Sequence, residues 1–288
     1  MTGITITRAG PLATLQDAGR FGMLEHGISA SGPMDRGAFV AAGVALESAG
    51  STGIEFSQGL AFEADTALRV GTAGGSFRLA VNGRKRDWLV VLKLKTGDKV
   101  EISPGEAGNY GYLRFEREID VPPVLGSRST NVTVGLGGHK GRALRAGDRI
   151  VFEEEGAAVS AVASPAADGA LRVIWGLHAD SFGPALRQRF AEASFGISSN
   201  LDRMGVRLTD TAGLFREQRR LTLVSDAIAP GDIQILGDGT PIVLMRDHQP
   251  TGGYPRIATI VSADLDRFAQ MQPGSEVRFR PVTLEHAR

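Results

Sequence analysis

The residues best equipped for chemistry form one run, Asp247-His248-Gln249-Pro250-Thr251-Gly252-Gly253-Tyr254-Pro255-Arg256. It offers a carboxylate, an imidazole, an amide, a hydroxyl, a phenol and a guanidinium within one short connection, whereas a plain turn needs Gly or Pro and little else. Asp247 and His248 are the general acid/base candidates, because a partly desolvated carboxylate or imidazole can be tuned towards neutral pH. Gln249 and Thr251 can hold a planar amide or carboxylate, Tyr254 adds a phenol, and Gly252-Gly253 let backbone approach a ligand closely.

Four other segments join Gly to functional side chains: residues 16–22, 32–35, 126–142 and 198–207. Arg20, Arg128, Arg142, Arg203, Arg207 and Arg256 all sit in Gly-containing loops. The planar donor fork of arginine suits carboxylate or phosphate. The competing reading is that these arginines make structural ion pairs with Asp17, Asp35, Asp148, Asp202 and Asp247. Gly135-Leu136-Gly137-Gly138-His139-Lys140-Gly141 lacks the Gly-Lys-Ser/Thr of a phosphate loop, and Lys140 stands at the third Gly position of a dinucleotide fingerprint. A backbone anion nest is still allowed there. The five histidines, His26, His139, His178, His248 and His286, show no close-paired ligand spacing, so no metal site is expected. No Gly-x-Ser-x-Gly elbow supports a serine nucleophile.

The elements that must position these loops read as short strands. Apolar runs at 242–245 and 257–261 flank the opening segment. Strand signals recur at 4–7, 53–56, 60–62, 67–70, 77–81, 88–93, 99–102 and 171–175, separated by Gly and Asp. One phrase appears four times: Gly97-Asp98, Gly147-Asp148, Gly231-Asp232 and Gly274-Ser275, each a turn feeding an alternating strand. Two copies in each half point to two related β-units, and their irregular intervals exclude a solenoid or propeller. Three helices are expected: one from Met34 to Leu46, capped by Ser31 or Gly32 with Pro33 first; one over 184–193; and one starting at Ser262 as N-cap. Residues 153–170 read as a linker. The expected class is mainly β, with an N-terminal β subdomain over 1–160 and a C-terminal barrel subdomain over 161–288.

Composition bounds the function. Of 288 residues, 32 are Lys or Arg and 32 are Asp or Glu, so no global field favours nucleic acid or anionic lipid. Glycine, at 38 residues, is about twice its usual share, which fits many tight turns. No apolar run approaches the ~18 residues of a spanning helix, and no signal-peptide pattern is visible, so the reading is cytoplasmic without membrane association. The absence of cysteine removes disulfides, thiolate nucleophiles and zinc-thiolate sites together.

At these same loops the sequence resembles the biotin-dependent carboxyltransferase family, in its second allophanate-hydrolase-type subunit. That group includes the carboxyltransferase region of urea carboxylase and the C subunit of bacterial 5-oxoprolinase. The motifs are Thr14-Leu15-Gln16-Asp17-Ala18-Gly19-Arg20-Phe21-Gly22, Gly32-Pro33-Met34-Asp35, Leu125-Gly126-Ser127-Arg128-Ser129-Thr130 and Gly137-Gly138-His139-Lys140-Gly141-Arg142-Ala143-Leu144. Asp202-Arg203-Met204-Gly205-Val206-Arg207-Leu208 and residues 247–255 complete them. The resemblance implies cyclophilin-like β-barrel units and one cleft built from all these loops. It adds Asp35 to the catalytic candidates, and Gln16, Arg20, Arg128, Thr130, His139, Arg142, Arg203 and Arg207 to the substrate-binding set.

It also implies work beside a homologous first-type subunit. One activity is a 5-oxoprolinase-type complex opening 5-oxoproline to glutamate with ATP supplied through the complex, with a lactam hydrolase subunit as a further partner. A second is carboxyl transfer from a partner's carboxybiotin to urea or a related amide. A third, of another class, is a regulatory binding module for the first-type subunit. No Met-Lys-Met biotinylation site occurs; Leu92-Lys93-Leu94 comes nearest and reads as a strand. Three departures from the family pattern are visible: Arg117-Glu118 where Gly-Gly is usual, Pro250 where Thr is common, and Asn131 where an aromatic is common. A Gly pair lining the pocket would mean that substrate or activity has changed here.

Overall fold

The computed structural model describes residues 2–159, 169–216 and 223–287. Half of the linker expected over 153–170, residues 160–168 with Pro165 and Asp168, lies outside the described residues. Two compact units divide the chain: the first comprises Met1–Phe21 and Ser31–Ser164, the second Gly22–Ala30 and Pro165–Arg288.

The first unit is built of two large antiparallel sheets. In the seven-stranded sheet, Gly3–Ala9 lies between Arg149–Glu155 and Leu60–Ala64, and the order runs on through Lys99–Pro104 and Phe77–Val81 to an edge at Arg84–Arg86. The five-stranded sheet runs from Thr14–Gln16 through Gly53–Phe56, Gly111–Phe115 and Leu68–Gly74 to Val91–Leu94. The nearest approach to a biotinylation motif, Leu92-Lys93-Leu94, is therefore strand. Ile4, Ile6, Leu15, Phe56, Phe62, Val100, Leu113 and Phe115 fill the core. Gly111–Phe115 is buried at every residue, whereas Lys99–Pro104 alternates exposed and buried. The first is covered on both faces and the second on one.

Helix α1 (Arg36–Val44) starts later than Ser31 or Gly32 would allow. Its N-cap is Asp35, in extended conformation, and the Asp35 carboxylate accepts from the Ala38 N–H at 2.8 Å. Aspartate immediately before the helix outcompetes the earlier serine because its oxygen reaches a first-turn N–H. Pro33 therefore lies outside the helix.

The second unit closes a seven-stranded barrel in the order Leu171–Trp175, Arg256–Ile260, Asp232–Ile235, Pro241–Leu244, Gly205–Thr209, Ser194–Leu201 and Glu276–Pro281. Helix α2 (Gly183–Glu192) sends Phe190 into an aromatic cluster, with Phe279 stacked on it at 5.3 Å and Phe195 at 5.6 Å. Helix α3 (Ser262–Ala269) begins at Ser262, but no side chain caps it. The Asp264 carboxylate in its first turn pairs instead with Arg172 at 2.7 Å. The protein is thus mainly β with short helices.

The fourfold phrase has one physical form. Gly97, Gly147, Gly231 and Gly274 have φ of 84°, 90°, 93° and 86°, a region that side chains disfavour. Each glycine N–H donates to a neighbouring strand, at the carbonyls of Ala64, Ile6, Leu244 and Ile197. In three copies the following Asp also accepts from the backbone N–H three residues before it, namely Lys95, Arg145 and Ala229. The same turn thus feeds the same kind of strand twice in each unit.

Candidate functional site

In the first unit, strand Thr14–Gln16 delivers its loop to residues 124–142, and the two are joined through Asp17. One Asp17 oxygen accepts from Ser127 Oγ and Ser129 Oγ, each at 2.6 Å, and from the Gly19 N–H at 3.0 Å. The other accepts from the Arg128 N–H at 2.6 Å. Burial raises the Asp17 pKa, but these hydrogen bonds outweigh it and hold the carboxyl below its ordinary range. Residue types suggest Asp17 only as an ion-pair partner for arginine; the structure makes it the organiser of the Ser127–Ser129 backbone. Two serines one residue apart, matched to a lone aspartate, are the sequence signal for it.

The predicted binding residues around Asp17 are largely engaged. Arg20, 1% exposed, donates to the carbonyls of Val124, Ser127 and Ser129. Gln16 donates to Thr14 Oγ1 and the Thr130 carbonyl, while Thr130 Oγ1 donates to the Leu15 carbonyl. Arg142 grips Asp148 with two 2.7 Å bonds, and His139 Nε2 lies 3.3 Å from the same carboxylate. Burial lowers the His139 pKa, partly offset by Asp148. Arg128 bonds the Val121 carbonyl through Nε, and no hydrogen bond to its two terminal nitrogens is seen among the described residues. Of Arg20, Arg128 and Arg142 it is the one with both terminal nitrogens left to take a ligand oxygen.

In the Gly135–Gly141 stretch the N–H groups of Leu136, Gly138, Lys140 and Gly141, and that of Arg142 beyond it, donate to nearby carbonyls, so these amides are not turned towards an anion. The glycines of the stretch serve close packing: a Cβ on Gly138 would lie 1.9 Å from Thr130 Oγ1.

Asp35, the catalytic candidate taken from the resemblance, is bound into the start of α1. Beyond its capping bond, its N–H donates to Tyr112 Oη at 2.8 Å, and Tyr112 donates to Glu55 at 2.9 Å. Glu55 is wholly buried and also accepts from the Met34 N–H at 2.7 Å. Burial, then the Glu55 charge, pushes the Tyr112 phenol well up, so it stays a neutral donor. Sequence reading missed this network; a glutamate inside the apolar strand Gly53–Phe56 was its one trace. Arg117-Glu118 also has a structural role. Glu118 accepts from Ser51 N–H, Ser51 Oγ, Thr52 N–H and Ile119 N–H, which fastens the loop before Gly53–Phe56.

In the second unit, the opening loop divides into an engaged part and an open part. Asp247 and Arg203 are 4% and 3% exposed and face each other as a fork, with Nε–Oδ2 at 2.8 Å and Nη2–Oδ1 at 3.1 Å. The Asp247 N–H also donates to the Arg203 carbonyl at 2.7 Å. Both Asp247 oxygens thus serve a structural pair. His248, 3% exposed, places Nδ1 at 2.6 Å from the Gln249 carbonyl. A carbonyl only accepts, so Nδ1 carries the proton and Nε2 keeps the basic lone pair. Burial lowers the His248 pKa, so the ring is neutral at pH 7. Among the described residues His248 is the catalytic candidate whose basic atom, Nε2, shows no hydrogen bond.

Thr251–Gly252 pairs with Asp226–Ala227 as a short ribbon. Arg256 is engaged with Asp226 at 2.7 Å and Asp232 at 3.4 Å. Gly252 lies against the Gln234 side chain, where an added Cβ would meet Nε2 at 2.6 Å. The close approach expected there is to protein. Tyr254 is exposed.

Arg207 behaves differently. Its side chain is exposed, with no side-chain hydrogen bond or ion pair among the described residues, although its charge acts on Asp238 in the same cavity. Two cavities of about 400 and 430 Å³ share Arg207 and Asn200 in their linings; Ser198 lies in the first and Gln249 in the second. The carboxylates of the first are held by backbone, Asp238 by the Thr240 N–H and Asp210 by the Phe215 N–H. An exposed guanidinium beside amide and hydroxyl groups can take a carboxylate in two parallel hydrogen bonds. Among the described residues no group of three His, Asp or Glu is arranged to hold a metal ion.

The family described as carboxyltransferase domain, subdomain A and B, matches residues 26–281. The 5-oxoprolinase C subunit of Escherichia coli (strain K12) is 34% identical over 296 residues, covering 99% of this chain and 93% of that protein. Its namesake from Haemophilus influenzae is 31% identical, covering 96% and 90%. The crystal structure of the K. lactis urea amidolyase matches with a TM-score of 0.88 at 25% identity, over 99% of this chain but only 19% of that one.

Proposed function

Because the chain belongs to the carboxyltransferase domain family, subdomain A and B, we propose that it is one subunit of an ATP-dependent complex that opens 5-oxoproline to glutamate. The observation that carries this reading is the end-to-end similarity to a 5-oxoprolinase C subunit at 34% identity. Arg207 supports it, since 5-oxoproline bears a carboxylate beside its lactam and urea does not. Ring opening adds water across the lactam C–N bond; oxygen goes to the carbonyl carbon and nitrogen leaves with a proton. In this reading Arg207 binds the substrate carboxylate, Gln249 and Asn200 orient the amide, and the basic lone pair of His248 Nε2 accepts a proton. ATP is handled by partner subunits.

The test is glutamate release from 5-oxoproline with ATP and the complete set of subunits. Release requires this chain, and Arg207→Ala raises KM about tenfold or more while leaving thermal stability unchanged. No release from a set that is active with a relative's C subunit in place of this chain would overturn the proposal. The alternative, carboxyl transfer to a urea-type amide, draws on the urea amidolyase likeness and would show as transfer from carboxybiotin.

A further inference from the structure

The first unit leaves two strand edges open beside one recess. Among the described residues, Arg84–Arg86 ends the seven-stranded sheet and pairs only with Phe77–Val81. Among them too, Val91–Leu94 ends the five-stranded sheet and pairs only with Leu68–Gly74. Residues 87–90 link the two edges directly, and a cavity of about 590 Å³ lies against both. Open edges carry unpaired backbone N–H and C=O groups that another strand can meet.

The register shows which side chains face the recess. Arg86 stands opposite Leu79 and Arg84 opposite Val81, while Lys85 stands opposite Ala80. Directly opposed residues share a face. Arg84 and Arg86 therefore lie on the face of buried Leu79 and Val81, and Lys85 on the other. The cavity agrees: Arg84 and Arg86 line it and Lys85 does not. Its apolar part is the buried Val81, Leu92 and Leu94 with the half-buried Val90 and Val91, and Lys93 and Lys95 add charge at its rim. Of its two carboxylates, Asp98 is held by the Lys95 N–H and by Asn82 Nδ2. The other is Asp87. Neither Arg84 nor Arg86 has an ion pair among the described residues.

We infer that this recess is the docking site for an extended acidic segment of a partner polypeptide, which adds to the open edges as a strand. Charge complementarity selects the occupant: the acidic side chains on the inward face of the added strand meet Arg84 and Arg86, and the alternate apolar ones face away from them. Main-chain bonds to the edges supply sequence-independent affinity, as in other strand-addition complexes. The surface shares no residue with the site of the proposed activity.

The experiment uses the full chain and a fluorescein-labelled, capped eight-residue peptide alternating glutamate and valine, read by fluorescence anisotropy at low salt. Saturable binding is expected, weakened about tenfold by Arg84→Glu with Arg86→Glu and unchanged by Lys85→Glu. N-methylation of alternate peptide amides should abolish it. The variants alter exposed side chains, so their thermal midpoints should match the parent. Absence of binding, equal loss in Lys85→Glu, undiminished binding of the N-methylated peptide, or equal competition by polyphosphate would each overturn the inference. The last two would mark a general anion patch, and the second a non-directional charge effect.

Discussion

The Arg203–Asp247 pair decides whether the most functional-looking aspartate of the chain is a reactive group or an anchor. Both side chains are almost fully buried, so removing one leaves the other desolvated without its counter-charge. Loss of one partner from such a pair costs about 3–5 kcal/mol. Asp247→Ala and Arg203→Ala should each lower the stability of the second unit by this amount. The double variant should cost clearly less than their sum, because no lone charge is left behind. Trp175 lies in this unit and packs beside Phe190 at 6.1 Å, so its fluorescence reports unfolding there. A Trp88→Phe background removes the other tryptophan. With an m-value of about 1–3 kcal/mol/M in urea, the midpoint should fall by about 1–3 M or more. A change under about 0.5 kcal/mol for either single variant would refute the anchor reading. So would Asp247→Asn with intact stability and abolished turnover, the behaviour of a catalytic base.

Two further expectations follow from the first unit. Gly138→Ala combines a φ of 49° with a Cβ 1.9 Å from Thr130 Oγ1, so left-handed strain and overpacking should together cost about 2–5 kcal/mol. Gly147→Ala has a φ of 90° but open space around the new carbon, and should cost only about 1–2 kcal/mol in the same thermal or urea unfolding measurement. The folded pKa of Asp17 lies below its ordinary 3.8, so its stabilising contribution is complete above that pH and is lost as pH falls through the folded value. Asp17→Asn should therefore unfold at a lower urea concentration at neutral pH and lose less stability than the parent on acidification; equal acid sensitivity would count against the Asp17 role.

Much of the site was visible only in part from residue types. The loops were found because Gly, Arg and Asp cluster in them. Which arginine is available was not visible, since Arg142, Arg203 and Arg256 differ from Arg207 only in what the fold places opposite them. Asp148, Asp247 and Asp226 meet the first three. Asp35 shows the same limit: its carboxylate reads as a candidate acid, yet it caps α1. Glu55 and Tyr112 were overlooked because a buried carboxylate in an apolar strand gains its meaning from residues far along the chain.

Local sequence set the strands, their alternation and the four Gly turns, because a positive φ or a period of two depends on a residue and its immediate neighbours. The start of α1 shifted because Asp35, and not the earlier Ser31 or Gly32, caps it. Sheet order, barrel closure in the second unit and the open edges beside Arg84–Arg86 depend on which strands meet across long separations. Those pairings also decide which charges are neutralised. The chemistry of Asp247 was therefore legible as a residue type, but its role followed from the packing that brought Arg203 against it.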